Sequence, residues 1–415
     1  MVKILLLAQF IPPLNGGEER HVWNLARRLV TRGHQVTLLG FAAGAEPGVA
    51  VSEGVRVVRV RTATSRLPML YSDQSRPHAL PLPDPVVSRE IRRELSTGGY
   101  DIVHAHNWIV NSALGPTARA RVPLVMTLHD YSHICATKRL MLFERSRCPG
   151  PAPKRCLPCA RAHYGTANGA VTLAANAWSA RRRAQCLTEA AAVSSAVAEA
   201  VDVPTGHWLH GAALHARVIP NFIPDEIVVE DIEPTAADAP LLFAGDLSYD
   251  KGVGVLLEAY RLLDSPPPLV MVGRTGTGES WDFPPGVQWL GEQPHAEVIK
   301  LFRSARAVVV PSVWSDPCPT VVLEAMAAGR PVAAAASGGI VDMVVNGLTG
   351  LLVEPGDPVA LAEAIATILQ NQSQAEAFGV AGRDRAREFT VSAVVARIEE
   401  MYVEAINRQA EWQSW

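Results

Sequence analysis

Two carboxylates eight positions apart, Asp316 and Glu324, stand before and within a segment of helical spacing, Thr320–Ala328, that Gly329 is placed to stop. A strand expected at Ala307–Val310 ends at Pro311, so the loop carrying Asp316 leaves the carboxyl end of a parallel sheet, where doubly wound folds take ligands. Thr320 is expected to cap the helix. Carboxylates accept paired hydrogen bonds from vicinal diols, so these two acids suit a hydroxyl-rich ligand; a helix cap and an ordinary surface glutamate are the plain alternative. Lys251, beside Gly252 and after Gly245-Asp246-Leu247, precedes another helix. The positive end of a helix disfavours a lysine unless an anion lies nearby, although a solvated loop lysine accounts for the position too. Lysine occurs only at positions 3, 138, 154, 251 and 300, which makes its placement at 251 informative. In Asn15-Gly16-Gly17-Glu18-Glu19, Gly16 and Gly17 open the first helix directly after the first strand. There the backbone can approach an anion such as a diphosphate, or simply turn tightly.

Four cysteines, Cys135, Cys148, Cys156 and Cys159, share one Pro-, Arg- and Gly-rich stretch at about 130–165. Cys156-Leu157-Pro158-Cys159 has knuckle spacing, yet C-x12-C-x7-C-x2-C is no standard zinc pattern. A structural zinc held by the four thiolates, two disulfides, and unpaired thiols all stay open, with His133 and His163 as alternative ligands. Cys186 and Cys318 stand apart and are expected to be unpaired.

These groups need a scaffold, and 415 residues exceed one ordinary core. Short apolar runs alternate with amphipathic stretches: Val2–Leu7, Glu18–Val30, Gln35–Leu39, Val55–Val60, Asp101–Ala105 and Pro123–Leu128. The rhythm restarts at Leu241–Ala244, Leu269–Val272, Val287–Leu290, Ala307–Val310 and Pro331–Ala335. It predicts an α/β fold of two Rossmann-like domains facing across a cleft. The expected domains are an acceptor-side domain over 1–205, a ligand-binding domain over 206–390, and a helix over 391–415 that returns to the first domain. Residues 66–85, rich in Pro and Ser, read as a long surface loop.

The halves differ in charge: residues 1–205 carry 25 Lys and Arg against 14 Asp and Glu, and residues 206–415 carry 13 against 27. Mutual attraction of the two domains, or simple solvated faces, explains this; an anionic membrane surface or phosphorylated acceptor is the other reading. Nucleic acid is excluded as a partner by the scatter of basic residues and the 6% aromatic content. No apolar run approaches the ~20 residues of a membrane span, and Ile4–Ala8 is too short for a signal-peptide core. The expected location is cytoplasmic, with at most peripheral contact at the inner membrane face.

From Pro311 to Val332 the chain resembles retaining glycosyltransferase family 4, whose signature places two acids around a helix ending in a Gly-x-Pro-Val turn. The resemblance extends through Gly16-Gly17 with His21, Gly33-His34-Gln35-Val36, His104-Ala105-His106, Thr127-Leu128-His129-Asp130, Val218–Asn221, Lys251-Gly252, Val287–Gly291 and Asn346–Leu352. It implies a GT-B fold and transfer of a sugar from a nucleoside-diphosphate donor, UDP- or GDP-linked, to a small-molecule or lipid-linked acceptor hydroxyl with retention. It further implies that Glu324 accepts from the ribose hydroxyls, Lys251 holds the diphosphate near Gly245, Gly16 and Gly17 close over it, and His129 contacts the donor sugar. Glu292, opening the loop to Val298, would border the nucleobase, and the backbone at Pro319, Thr320 and Val321 would meet the sugar. No catalytic metal is implied; front-face attack with the diphosphate taking the acceptor proton would suffice. His34, His104 and His106 are read as structural.

The departures are Asp316 where glutamate is usual, Pro319 in an amide-rich stretch, and Asp246 where many members carry arginine. Asp246 would repel the diphosphate; Arg274 is a substitute cation with no motif behind it. A nucleotide-sugar epimerase and a non-catalytic nucleotide-sugar-binding partner are the rival functions. Biosynthesis of a glycosylated metabolite or an envelope glycan is the expected setting.

Overall fold

The computed structural model describes residues 1–12, 17–43, 46–66, 79–202, 208–209, 211–236, 238–276 and 280–413. Most of the loop expected at 66–85, together with Gly16, lies outside them. In chain order the elements are β1 (Lys3–Ala8), α1 (Gly17–Thr31), β2 (Gln35–Phe41), β3 (Gly48–Ser52), β4 (Val55–Val60), α2 (Pro85–Gly98), β5 (Ile102–His106), α3 (Val110–Ala120) and β6 (Leu124–Leu128). A hairpin of β7 (Met141–Leu142) and β8 (Ser146–Arg147) precedes α4 (Pro153–Tyr164), α5 (Thr166–Cys186), β9 (Glu189–Ala192), α6 (Ser195–Val201) and β10 (Arg217–Val218). Then come β11 (Leu241–Ala244), α7 (Val253–Leu262), β12 (Leu269–Val272), β13 (Val287–Trp289), α8 (His295–Ser304), β14 (Ala307–Val310), α9 (Thr320–Ala327) and β15 (Val332–Ala335). The chain continues with α10 (Ile340–Met343), β16 (Gly350–Val353), α11 (Pro358–Gln370), α12 (Gln372–Ala386) and α13 (Val391–Gln413).

The chain forms two compact units. Unit 1 takes residues 1–139, 149–220 and 394–415; unit 2 takes residues 140–148 and 221–393. The division falls at Pro220, beyond the 205 expected, because Arg217–Val218 pairs in parallel with Ala191–Ala192 of β9 and so completes the first sheet.

Unit 1 is built on an eight-stranded sheet of order β10-β9-β6-β5-β1-β2-β4-β3. Ile4, Leu5, Leu6 and Leu7 of β1 are fully buried. An uninterrupted apolar run is what a parallel strand covered on both faces requires. Only β3 runs antiparallel, joined to β4 by a two-residue turn in which Glu53 and Gly54 both take positive φ. That combination matches the twist of the strands it joins. From α13, Val394, Val395, Ile398, Met401, Tyr402 and Ala405 are buried, and all six belong to unit 1. Burying each of the larger ones contributes roughly 1.5–3 kcal/mol.

Unit 2 is built on a six-stranded parallel sheet of order β13-β12-β11-β14-β15-β16. Relabelled by position this is 3-2-1-4-5-6, the dinucleotide-binding order, with its reversal between β11 and β14. Its core joins Leu241, Phe243, Leu256, Leu257, Leu269, Met271 and Val309. Unit 1 repeats the reversal between β1 and β5. Each unit thus has a strand-order reversal of its own, the place where doubly wound folds take ligands.

Candidate functional site

In unit 2 the loops leaving β11 and β14 meet at the reversal point. Gly252, at φ 75°, sits so close to Pro311 that an added Cβ would stand 1.9 Å from the Pro311 carbonyl oxygen. Glycine is therefore required there, and the contact sets Lys251 against the loop that follows β14. The Lys251 ammonium donates to Asp316 Oδ2 at 2.5 Å, with the Asp316 side chain only 6% exposed. Burial opposes the lysine charge, but Asp316, then Asp250 and Asp246, raise its pKa above the ordinary value. Three ammonium protons with one given to Asp316 leave two for further acceptors.

Asp316 also shapes the loop. Its carbonyl accepts from Gly339 N at 2.8 Å, and a Cβ at Gly338 (φ 55°) would stand 2.1 Å from that oxygen. α9 follows. Thr320 does not cap it: the N-cap is Pro319, without a side-chain cap bond, and Thr320 is the first helical residue. Proline's fixed φ, here −71°, suits the entry to a helix but offers neither a capping oxygen nor an amide. Gly329, at φ 68°, follows the last turn. Glu324, one turn inside α9, is buried, and its Oε1 accepts from His295 Nε2 at 2.8 Å. His295 opens α8. It lies within the loop expected to border the nucleobase, where its residue type alone predicts no role. Glu292 lies exposed between β13 and α8, after Gly291 at φ 70°. Val321 is half-buried on the first turn of α9.

Gly245 leaves β11 with φ 153°, and Asp246 beside it is not an isolated repellent charge. Arg274 binds it through Nε and Nη2, both at 3.2 Å. The pairing is possible because Gly273 comes so close to Gly245 that a Cβ would stand 1.8 Å from its carbonyl oxygen. From the β7–β8 hairpin, Arg147 Nε donates to the Val313 carbonyl at 3.2 Å, so this insertion buttresses the loop before Asp316.

At the reversal point of unit 1 three imidazoles converge. His129 follows β6, His106 ends β5, and His21 faces inward from α1; their ligating nitrogens all lie within 4.8 Å of one another, close enough to hold a metal ion. His106 Nδ1 and His129 Nε2 are 2.9 Å apart. The sequence marks His106 only as structural, and its convergence with His129 is a finding of the fold. His104 is structural: it reaches Tyr402 at 2.7 Å and Thr127 at 2.8 Å. Burial lowers the pKa of His104 to about 3 and, with His129 and His104 added, lowers that of His21. Asn107, at φ 56°, donates to Glu18 Oε2 at 2.7 Å and accepts from His129 N at 3.3 Å. Burial, then Asp130 and Glu19, raise the Glu18 pKa from 4.5 to about 7. Gly17, the first residue of α1, is exposed.

Of the cysteines, Cys135 Sγ lies 3.3 Å from Thr137 Oγ1, and Cys156 Sγ accepts from Ala152 N at 3.3 Å. Cys156 and Cys159 lie on α4, whereas Cys148 follows β8 and counts with unit 2. His133 is not available to a metal: its Nε2 is engaged with the Ala212 carbonyl at 2.7 Å and its Nδ1 accepts from Arg183 Nε at 3.2 Å. Arg183, fully buried, also donates to Asn111, Asn176 and the His133 carbonyl, and burial brings its pKa down to about 9. Nothing in the local sequence marks it.

Two Rossmann-like units, each with its polar groups gathered at the strand-order reversal, define the GT-B class. Residues 15–226 match the family model described as Glycosyltransferase Family 4, and residues 231–385 match that of Glycosyl transferases group 1. The chain belongs to glycosyltransferase family 4 and is a glycosyltransferase. It is 27% identical over 432 residues to glycogen synthase of Mycobacterium tuberculosis, covering 97% of this chain and 95% of that one. With D-inositol 3-phosphate glycosyltransferase 1 of Catenulispora acidiphila it shares 30% over 426 residues, covering 94% and 91%. Among solved structures, Anabaena HepE in complex with UDP and glucose superposes with a TM-score of 0.67 at 19% identity, covering 97% of this chain and 99% of that one.

Proposed function

We propose that this glycosyltransferase moves a sugar from a nucleoside-diphosphate donor to an acceptor hydroxyl with retention of anomeric configuration. The observation that carries the reading is the joining of Lys251 and Glu324 to the two loops of one strand-order reversal in unit 2, between β11 and β14. Glu324, with one oxygen engaged by His295, keeps acceptor capacity for the vicinal hydroxyls of a ribose. Lys251 supplies positive charge to a diphosphate, and the amides at the start of α9, at Thr320 and Val321, are assigned to the sugar. Arg274 neutralises Asp246, which lowers the repulsion that this acid would otherwise exert. Glu292 is assigned to the nucleobase border, Asp316 and His129 to hydroxyls of the sugar, and Gly17 and Gly245 to close backbone approach. The uridine or guanosine diphosphate sugars are the donor candidates; HepE, which shares the fold, holds UDP and glucose.

In the reaction the bond from the anomeric carbon to the diphosphate oxygen breaks while the acceptor oxygen bonds to the same face of that carbon. The acceptor proton passes to the departing diphosphate, whose growing charge Lys251 stabilises. Acceptors of the proposed class are small molecules or lipid-linked glycans, in biosynthesis at the cytoplasmic side. Proton NMR of the product decides the stereochemistry. An anomeric configuration equal to the donor's is expected, and an inverted product overturns the mechanism while leaving the family intact.

A further inference from the structure

The imidazoles at the carboxyl edge of unit 1 determine which nitrogen of His129 carries its proton. A hydrogen bond between His106 Nδ1 and His129 Nε2, 2.9 Å apart, needs one N–H and one lone pair. His106 is completely buried, where an imidazolium would go without solvent, so the ring is neutral and has one N–H to place. Its Nε2 is buried with no hydrogen-bond partner among the described residues. A bare lone pair at that nitrogen is less costly than an orphaned N–H. Help from the next ring is ruled out: His104, on the same face of β5 two residues earlier, has both nitrogens engaged, with Tyr402 and Thr127. The remaining neighbour, His21, meets His129 edge-on, with ring centres 4.8 Å apart.

We infer that His106 is a positioning residue whose Nδ1–H donates to His129 Nε2 and so fixes His129 as the Nδ1–H tautomer, a hydrogen-bond donor to a substrate hydroxyl and not a proton acceptor. The tautomer follows from the geometry of unit 1; its use on a sugar hydroxyl rests on the role proposed above for His129. An imidazole held this way has its proton in place before substrate arrives, and reorientation is not needed during the reaction.

Long-range nitrogen–proton correlation spectra of full-length protein labelled at histidine nitrogen test the tautomer directly. Wild type is expected to show His129 protonated at Nδ1 and bare at Nε2. A proton on His129 Nε2 overturns the inference, as does a stoichiometric metal ion in the purified protein, since a cation at that nitrogen takes the lone pair. In kinetics, His106→Leu is expected to lower kcat roughly tenfold at unchanged KM for the donor, as for one lost hydrogen bond. His106→Asn, whose amide N–H occupies the place of Nδ1–H, is expected to restore most of it. Equal losses in both variants, with the fold intact by circular dichroism, also overturn the inference. If the spectra show Nδ1–H but His129→Ala transfers sugar at the wild-type rate, the role assigned to His129 fails and the tautomer stands.

Discussion

The two sheets reverse strand order in the same way, yet different chemistry gathers at each reversal. In unit 2 it is two ion pairs, Lys251 with Asp316 and Arg274 with Asp246, beside a hydrogen bond between His295 and Glu324. In unit 1 it is a group of neighbouring imidazoles, His21 and His106 buried and His129 half-buried, with Glu18 biased toward its protonated form. On the function proposed above, fixed positive charge in unit 2 suits a diphosphate and oriented imidazoles in unit 1 suit sugar hydroxyls, so one fold used twice is asked for both. Topology supplies the crevice, and the few residues after each strand decide what it binds.

The sharpest way to break this contrast is Lys251→Ala. If unit 2 supplies the charge, kcat for sugar transfer falls roughly 10²–10³-fold, measured by product chromatography at saturating donor. An unchanged kcat would place the anion site elsewhere. Glu324→Ala comes next: roughly 100-fold lower kcat/KM for the donor, with nucleotide affinity by calorimetry reduced in step.

Glu18→Gln tests unit 1. A carboxyl whose pKa rises from 4.5 to about 7 on folding contributes stability while protonated and loses it as pH rises through that window. This variant, permanently neutral at the position, is expected to match wild type near pH 4.5 and to exceed it near pH 8 by on the order of 2 kcal/mol in urea unfolding. A difference independent of pH would show that Glu18 is not held protonated. The smallest effect belongs to His295→Ala, about threefold to tenfold in KM for the donor with kcat nearly intact, because His295 touches Glu324 and not the reacting atoms.

Buried strands such as Leu241–Ala244 and Leu269–Val272 were legible because cover on both faces leaves continuous apolar runs. β3 was not, since Gly48–Ser52 is exposed throughout and no burial pattern marks it. The start of α9 was legible to within one residue, though Thr320 is the cap its sequence suggests and Pro319 holds that place. In unit 2 the acids and the lysine could be named from local spacing. Their partners could not: His295 reaches Glu324, and Arg274 reaches Asp246, only because β11, β12 and β14 are neighbours in the sheet. The same holds for His21, His106 and His129, which come from three separate elements. Spacing reports a helix face or strand face, and strand order decides which faces meet.

The C-terminal part of α13 has a consequence for how the molecule is made. One face of residues 394–405 is buried in unit 1, and Tyr402 hydrogen-bonds the buried His104, although all of unit 2 beyond residue 220 is translated first. On the ribosome the strands of unit 1 therefore emerge long before the helix that covers them. A nascent chain arrested before residue 394 carries every residue assigned to unit 2 and lacks the hydroxyl that His104 meets on α13.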